Sequence, residues 1–371
     1  MPDTVTASPA KALIAMSGGV DSSVAAALMM EQGFDCIGIT LKLFDSTNGD
    51  AKEHIFHHPV KSCCSLADVN DARQAAYKLG MPHYVLNFTE VFGTDVIRRF
   101  IKTYEEGATP NPCIDCNRYI KFGCLLDRAD QLGINILATG HYAQIAKSGS
   151  RWLLKKAVDP KKDQSYVLYS LDQKTLARTG FPLGALTKSE VREIAEERGF
   201  VNAHKQESQD ICFVPDGDYG AFMETYTGKQ YPPGDILDLS GKVIGRHRGI
   251  VRYTLGQRRG IGVALNQPLY VSAKDTASNT ITLGPESSLY QKTLTADSIN
   301  LIACESIEKP LRVNVKTRYL QIEHPAWATQ TGPDEIRIEF DEGQRALTPG
   351  QAAVLYDGDI VIGGGTIRST A

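Results

Sequence analysis

From Ala12 to Thr139 short apolar runs alternate with stretches of helical spacing, and this alternation constrains the fold more than any other feature of the chain. The run Ala12–Met16 ends at a Ser-Gly-Gly turn, and Val24–Met30 then carries a helix pattern closed by Gly33. Cys36–Leu41 reads as a second buried strand. Ala67–Leu79 reads as a helix with Gly80 at its C-terminal cap, and His83–Phe88 as a third strand. A helix near Glu90–Glu105, a loop rich in Pro and Cys, a helix near Tyr119–Leu132 and a strand at Asn135–Thr139 complete the series. Strands separated by helices join in parallel, so the expected core is α/β, a doubly wound parallel sheet with helices on both faces.

The punctuation changes after the helix Lys188–Arg198 and the turn at Gly199. Apart from a short helix at Tyr219–Tyr226, turn signals recur at short intervals: Pro232-Pro233-Gly234, Ser240-Gly241, Thr331-Gly332-Pro333, Pro349-Gly350 and Asp357-Gly358. Between them lie β-rich runs such as Leu311–Tyr319, Ile336–Phe340 and Ala353–Tyr356, which predict one small barrel or two. The expected parts are 1–207, 208–288 and 289–371. The length of 371 residues, with 42% hydrophobic and 22% charged, suits a globular chain of two or three domains. No basic segment precedes an N-terminal apolar run, and no apolar stretch reaches the roughly 18 residues of a membrane span. The expectation is a cytoplasmic, membrane-free protein with reduced thiols, since eight cysteines are too sparse for a disulfide scaffold. A polar, mobile loop is expected at Asp45–Pro59, and a formal charge of −3 argues, in bulk, against a nucleic-acid partner.

Ala15-Met16-Ser17-Gly18-Gly19-Val20-Asp21-Ser22-Ser23 lies between the first strand and the first helix. Backbone N–H groups at a helix N-terminus favour an anion. Gly18 and Gly19 allow a sharp turn and close approach of phosphate, and Ser17, Ser22 and Ser23 add hydroxyl donors. Asp21 is a candidate Mg²⁺ ligand between phosphates. The string matches neither the Walker loop nor the dinucleotide fingerprint. An ordinary tight turn capped by Asp21 or Ser22 is the alternative. The full Ser-Gly-Gly-x-Asp-Ser string resembles the PP-loop of the ATP pyrophosphatase superfamily, whose members cleave ATP to AMP and pyrophosphate.

Two cysteines stand in chemically suggestive places. Cys116 falls near a predicted helix start, with Arg118 and Lys121 within a turn, and dipole and cations together favour a thiolate. Cys212 lies in Glu207–Pro215 near the expected domain boundary. Half a zinc site or a redox pair at Cys113-x-x-Cys116 is the competing reading, but no second C-x-x-C exists. Cys36, Cys124 and Cys304 read as packing residues, and Cys63-Cys64 is ambiguous.

Ser17–Ser22, Asn111–Asn117, Ala138-Thr-Gly-His-Tyr142, Lys162-Asp-Gln-Ser-Tyr166, Glu207–Pro215 and Thr254-Leu-Gly-Gln-Arg258 occur in this order. Together they resemble the tRNA-specific 2-thiouridylases over nearly the whole chain. That resemblance implies sulfur transfer to C2 of the wobble uridine, position 34, in tRNAs for Lys, Glu and Gln, with O2 adenylated by ATP and Mg²⁺. It implies a nucleotide site of Ala15, Met16, Ser17, Gly18, Gly19, Val20, Asp21, Ser22, Leu41 and Gly140. Cys116 becomes the nucleophile and Cys212 the persulfide carrier, alternating as a Cys116–Cys212 disulfide. Asn111, Pro112 and Cys113 lie by the target base, and His141 is grouped with the tRNA contacts. Lys162, Asp163, Gln164, Arg318, Tyr319 and Gln351 also contact tRNA. A cysteine desulfurase or sulfur relay protein supplies the sulfur, and the expected state is a monomer. The three parts become an ATP-binding catalytic domain, a central β-rich domain and a C-terminal tRNA-binding barrel.

Cys113 departs from the family pattern, which often has Asp there. A thiol triad of Cys113, Cys116 and Cys212 holding an iron–sulfur cluster is the subordinate alternative to the persulfide route. Two other classes compete: another PP-loop ligase or amidotransferase, which needs no paired thiols, and a redox or metal-binding RNA module, which needs no ATP loop. The charge count also resolves on closer reading. Lys242–Arg259 contains no acid, Lys147–Lys162 holds six basic residues against Asp159, and Arg312, Asn314, Lys316 and Arg318 alternate onto one strand face. These clusters predict a phosphate-tracking surface despite the net charge.

Overall fold

The computed structural model describes residues 9–43, 66–205, 211–214, 217–263 and 267–371. The expectations for Asp45–Pro59, Cys63-Cys64 and Glu207–Asp210 lie outside them. Described residues within 1–45, 60–92 and 116–212 form one compact unit, and those within 93–115 and 213–371 form a second.

The first unit contains strands β1 (Lys11–Ala15), β2 (Asp35–Lys42), β3 (His83–Asn87), β4 (Ile136–Thr139), β5 (Gln144–Ser148), β6 (Arg151–Lys155) and the short β7 (Thr179–Gly180). Five of them form a parallel sheet in the order β3-β2-β1-β4-β7. Ala12, Leu13 and Ile14 of β1 are fully buried, as a central strand covered on both faces requires. Helix α1 (Val20–Glu31) packs through Val20, Val24 and Ala27 into the same core as Val191 and Ala195 of the helix Lys188–Glu197. Helix α2 (Leu66–Lys78) adds Ala72, Ala75 and Ala76. The strand order reverses between β1 and β4, so the crevice at their carboxyl ends is where such sheets bind ligands. Ala15 and Thr139 stand level across that reversal.

Two expected helices are interrupted. The one near Glu90–Glu105 is helical at Thr89–Phe92, widens to a π-helix at Gly93–Ile97, and continues as Arg98–Glu105. The one expected at Tyr119–Leu132 starts seven residues earlier, because Pro112 has the fixed φ suited to a first helical position. It is π-helical over Cys116–Cys124 and α-helical again over Leu125–Gln131. The β5–β6 hairpin was missed, although a two-residue Gly149-Ser150 turn between basic, half-exposed runs is a hairpin signal.

The second unit holds a small mixed sheet, β10-β11-β8-β9, from β8 (Gly234–Leu237), β9 (Val243–His247), β10 (Tyr270–Asp275) and β11 (Thr280–Gly284). It also holds β12 (Tyr290–Leu301), β13 (Leu311–Lys316), β14 (His324–Gly332), β15 (Glu335–Arg345), β16 (Ala352–Asp357) and β17 (Ile360–Thr370). These six run antiparallel in the order β12-β15-β14-β13-β16-β17, and a β12–β17 pairing closes the barrel. Alternate residues such as Val313, Val315, Ile336 and Ile338 fill it. Residues 93–115 pack here too. Phe100 meets Phe213 edge-on at 5.1 Å, and Tyr104 stacks on Tyr219 at 5.9 Å. Lys229 and Tyr231 both donate to Glu105 (2.7 and 2.8 Å).

Candidate active site

The phosphate loop closes on itself. The Ser17 N–H donates to Ser22 Oγ (3.1 Å), and the Ser22 and Ser23 hydroxyls donate to the Gly19 carbonyl (3.0 and 3.2 Å). Thr40 Oγ1 holds the Met16 carbonyl at 2.8 Å. Gly19 is the extended residue before α1, and no side chain caps the helix, so the tight-turn reading with Asp21 or Ser22 as cap does not hold. Uncapped first-turn N–H groups suit an anionic ligand. Gly140 leaves β4 against this loop. A Cβ there would lie 2.8 Å from both the Asp21 carbonyl carbon and the Ser22 nitrogen. Gly18 has φ +74°, and a Cβ would overlap the Asp68 carbonyl. Leu41 is buried in β2.

Asp21 does not face open solvent. Lys188 Nζ donates to both its carboxylate oxygens (2.7 and 2.9 Å), and the Tyr142 hydroxyl donates to Oδ1 (2.7 Å). Lys188 was missed from the sequence. It is buried at the first position of its helix, where a lysine opposes the helix dipole, and its partner lies 167 residues away. Two further groups back the loop. Asn202 Nδ2 reaches the Gly18 carbonyl and Ser23 Oγ, both at 3.0 Å. Lys205 Nζ reaches Asp68 (2.6 Å), Asp71 (2.5 Å) and the Gly18 carbonyl (3.3 Å).

Lys162 is half-buried, and Asp163 and Gln164 bond to neighbouring elements of the unit. The Asp163 carboxylate accepts from the Ala157 and Ser165 N–H groups (3.1 and 3.2 Å) and the Ser165 hydroxyl (2.8 Å). Gln164 brackets Tyr142, donating its N–H to the Tyr142 carbonyl (2.8 Å) and accepting the Tyr142 N–H at Oε1 (2.9 Å). The segment thereby fixes the tyrosine that holds Asp21.

Cys116 sits a full turn inside its helix, not at the start as expected, because the helix begins at Pro112; dipole effects fade beyond the first turn. Cys116 and Cys212 are half-buried, and Cys113 is exposed in the first turn. Asn117 anchors the helix by donating to the Val167 carbonyl (3.0 Å). Four residues further on, Lys121 Nζ lies 3.4 Å from His141 Nε2. An ammonium only donates, so Nε2 accepts and Nδ1–H faces Thr139 Oγ1 at 2.7 Å. Burial first, and the Lys121 charge second, hold His141 well below the ordinary histidine range, so it is neutral.

A neutral buried histidine makes stability depend on pH. Below about pH 6.5 the unfolded chain takes a proton that folded His141 refuses, so stability falls as pH drops through that window. His83 and His247, also lowered chiefly by burial, act in the same direction. His141→Gln is expected to flatten the fall in melting temperature between about pH 7 and 5 relative to wild type. Identical slopes for the two proteins would refute the assignment.

In the second unit, Arg318 Nη2 donates to the Ala346 carbonyl and Thr348 Oγ1, both at 2.9 Å, and Tyr319 is half-buried. Gln351 holds the Thr109–Pro110 backbone, with Asn111 and Pro112 following. Part of the basic clusters is paired. Arg252 meets Asp218 (2.7 Å) and Glu224 (2.8 Å), Arg246 meets Asp235 (3.7 Å), and Arg312 meets Asp341. The acids come from other elements. Lys161, Lys242, Arg248, Arg258 and Arg259 are exposed.

A glycine-turned, uncapped helix N-terminus at the reversal of a 3-2-1-4 parallel sheet defines a nucleotide-using α/β protein of the PP-loop class. Family models agree. One described as "tRNA methyl transferase HUP domain" matches residues 10–216, a "tRNA methyl transferase PRC-barrel domain" matches 220–285, and an "Aminomethyltransferase beta-barrel domain" matches 291–367. Full-length relatives described as "tRNA-specific 2-thiouridylase MnmA" are similar throughout. That of Acetivibrio thermocellus is 47% identical over 96% of this chain and 99% of its own. Those of Clostridioides difficile and Pelotomaculum thermopropionicum are 48% and 49% identical, each over 97% of this chain and 98% of their own. The chain belongs to the tRNA-specific 2-thiouridylase family.

Proposed function

We propose that this protein is an ATP-dependent tRNA sulfurtransferase that converts wobble uridine to 2-thiouridine. The observation that carries the reading is one unit holding both the uncapped phosphate loop, with its Asp21–Lys188–Tyr142 contacts, and two half-buried thiols, Cys116 and Cys212. The uracil C2 carbonyl is amide-like, and oxide is a poor leaving group. Attack of O2 on the α-phosphorus of ATP expels pyrophosphate and leaves AMP on O2. The open N–H groups of α1 and the loop hydroxyls stabilise the charge that develops on the phosphates. The terminal persulfide sulfur of Cys212 then replaces AMP at C2. Cys116 cleaves the persulfide S–S bond either before this attack, releasing hydrosulfide, or after it, releasing the thiolated base. Both orders leave a Cys116–Cys212 disulfide, which an external thiol reductant reopens.

A protein-held Mg²⁺ does not fit the donors at Asp21, because Lys188 and Tyr142 engage that carboxylate. Among the described residues no group of three His, Cys, Asp or Glu side chains is gathered for a metal, and no step is routed through an iron–sulfur cluster on Cys113, Cys116 and Cys212. Mg²⁺ belongs to this reading as part of the ATP substrate. The sulfur comes from a desulfurase or relay protein. A cytoplasmic monomer is the proposed state, and no described helix is long and apolar enough to cross a membrane. The target base must leave the anticodon stack, at a cost of a few kcal/mol. Incubation with tRNA, MgATP and a persulfide donor is expected to yield 2-thiouridine in the anticodon nucleosides by mass spectrometry, with pyrophosphate released only when tRNA is present. Pyrophosphate release without sulfur incorporation would point to a ligase instead.

A further inference from the structure

The backbone leading into the Asn111–Cys113 segment is fastened to a turn of the C-terminal barrel. The Thr109 N–H donates to the Pro349 carbonyl at 2.8 Å. Gln351 Nε2 donates to the Thr109 and Pro110 carbonyls, each at 3.0 Å, so both its hydrogens are used on two successive peptide groups. The turn is itself fixed. The Gly350 N–H donates to the Ile367 carbonyl, and the Ile367 N–H to the Gln351 carbonyl, both at 2.8 Å. Gly350 has φ +89°, and a Cβ there would lie 2.8 Å from the Thr109 carbonyl oxygen, so the close approach and the backbone conformation both require glycine. Arg318 holds the chain entering this turn through Ala346 and Thr348. Pro110 is buried, and Pro112, two residues on, opens the helix that carries Cys116 in its second turn.

We propose that Gln351 is a positioning residue for sulfur transfer. It sets the Asn111–Cys113 segment that presents the target base and opens the helix leading to Cys116. The amide donors that would otherwise face RNA are committed to the protein, which places the residue's main effect on rate rather than affinity. The proposal rests on reading Asn111–Cys113 and Cys116 as catalytic.

The test replaces the donors without changing size, with Gln351→Met, and restores a donor with Gln351→Lys. Single-turnover thiolation at saturating tRNA, tRNA Kd at fixed salt, and amide exchange at Thr109 are measured. Gln351→Met is expected to slow thiolation about tenfold or more, the scale of a small misplacement of reacting groups, with Kd within about twofold. Thr109 exchange speeds up, and Gln351→Lys recovers part of the rate. A Kd weakened tenfold with the saturated rate unchanged overturns the proposal, as does a variant indistinguishable from wild type. Should Gln351→Met not fold, Gln351→Asn is judged by the same split. Cys116→Ser is run alongside: retained thiolation there defeats the catalytic reading itself, a failure distinct from any result at Gln351.

Discussion

Cys212→Ser and Cys116→Ser are each expected to abolish thiolation, by on the order of 10³-fold or more, the scale of losing a reacting group rather than a contact. The two losses differ in kind. Without Cys212 no persulfide forms on the enzyme, yet tRNA-dependent pyrophosphate release continues, because adenylation needs only the phosphate loop. Without Cys116 nothing cleaves the S–S bond, so the sulfur stays on Cys212, as the free persulfide if cleavage precedes attack on C2 or as a disulfide-linked tRNA adduct if it follows. Nucleoside mass spectrometry, persulfide labelling of the protein and pyrophosphate release separate these outcomes. Cys212→Ser thiolating at the normal rate with a protein-bound donor in sulfide-free buffer would overturn the assignment. The environments of the thiols support the choice. Both are half-buried and reachable, whereas burial pushes the Cys36 thiol up to about 11, where almost no thiolate exists at neutral pH.

The phosphate loop was legible in the sequence because its requirements are local: two glycines for the turn, hydroxyls within hydrogen-bond reach, and a helix immediately after. The groups that back it were not. Lys188 is 167 residues from Asp21, and Asn202 and Lys205 are 184 and 187 residues from Gly18. No periodicity announces such contacts. The helix carrying Cys116 was misplaced by a turn despite a usable signal, Pro112 as first residue. The π-helical stretches left no signal, because one extra residue in a turn changes no local propensity. Phe100 and Tyr104 stand four apart on one helix, and nothing local says that Phe213 and Tyr219 cover them. That cover takes residues 93–115 away from the first unit, and with them the backbone that Gln351 holds.

Charge shows the same limit. Lys242–Arg259 contains no acid, yet Asp218 and Glu224 reach Arg252 from 34 and 28 residues upstream. A count along the chain measures composition, while phosphate binding depends on which cations remain exposed after folding. Arg258 and Arg259 remain so, and Arg252 does not.

Lys188→Met is expected to damage both stability and ATP use. It leaves the Asp21 carboxylate with the Tyr142 hydroxyl and the N-terminal end of α1 as its remaining support. The Lys188 side chain is only 10% exposed and that of Asp21 28%, so the loss falls between surface and buried pairs, about 1–3 kcal/mol. Asp21→Asn alone strands the ammonium in turn. The double variant Asp21→Asn/Lys188→Met removes both charges and is expected to regain much of that stability, giving a favourable coupling in a double-mutant cycle. Catalysis does not recover with it. An unpaired carboxylate in the loop repels triphosphate, and the double variant lacks the ammonium that neutralises incoming phosphate. Lys188→Met and the double variant are therefore expected to lose tRNA-dependent pyrophosphate release by about 10²-fold or more, since charge stabilisation at the phosphates is the larger part of this step. Chemical denaturation measures the first effect and pyrophosphate release the second. Release within twofold of wild type in Lys188→Met would show that the pair only fastens α1 to the helix Lys188–Glu197. Recovery of stability without recovery of release assigns the pair to nucleotide chemistry.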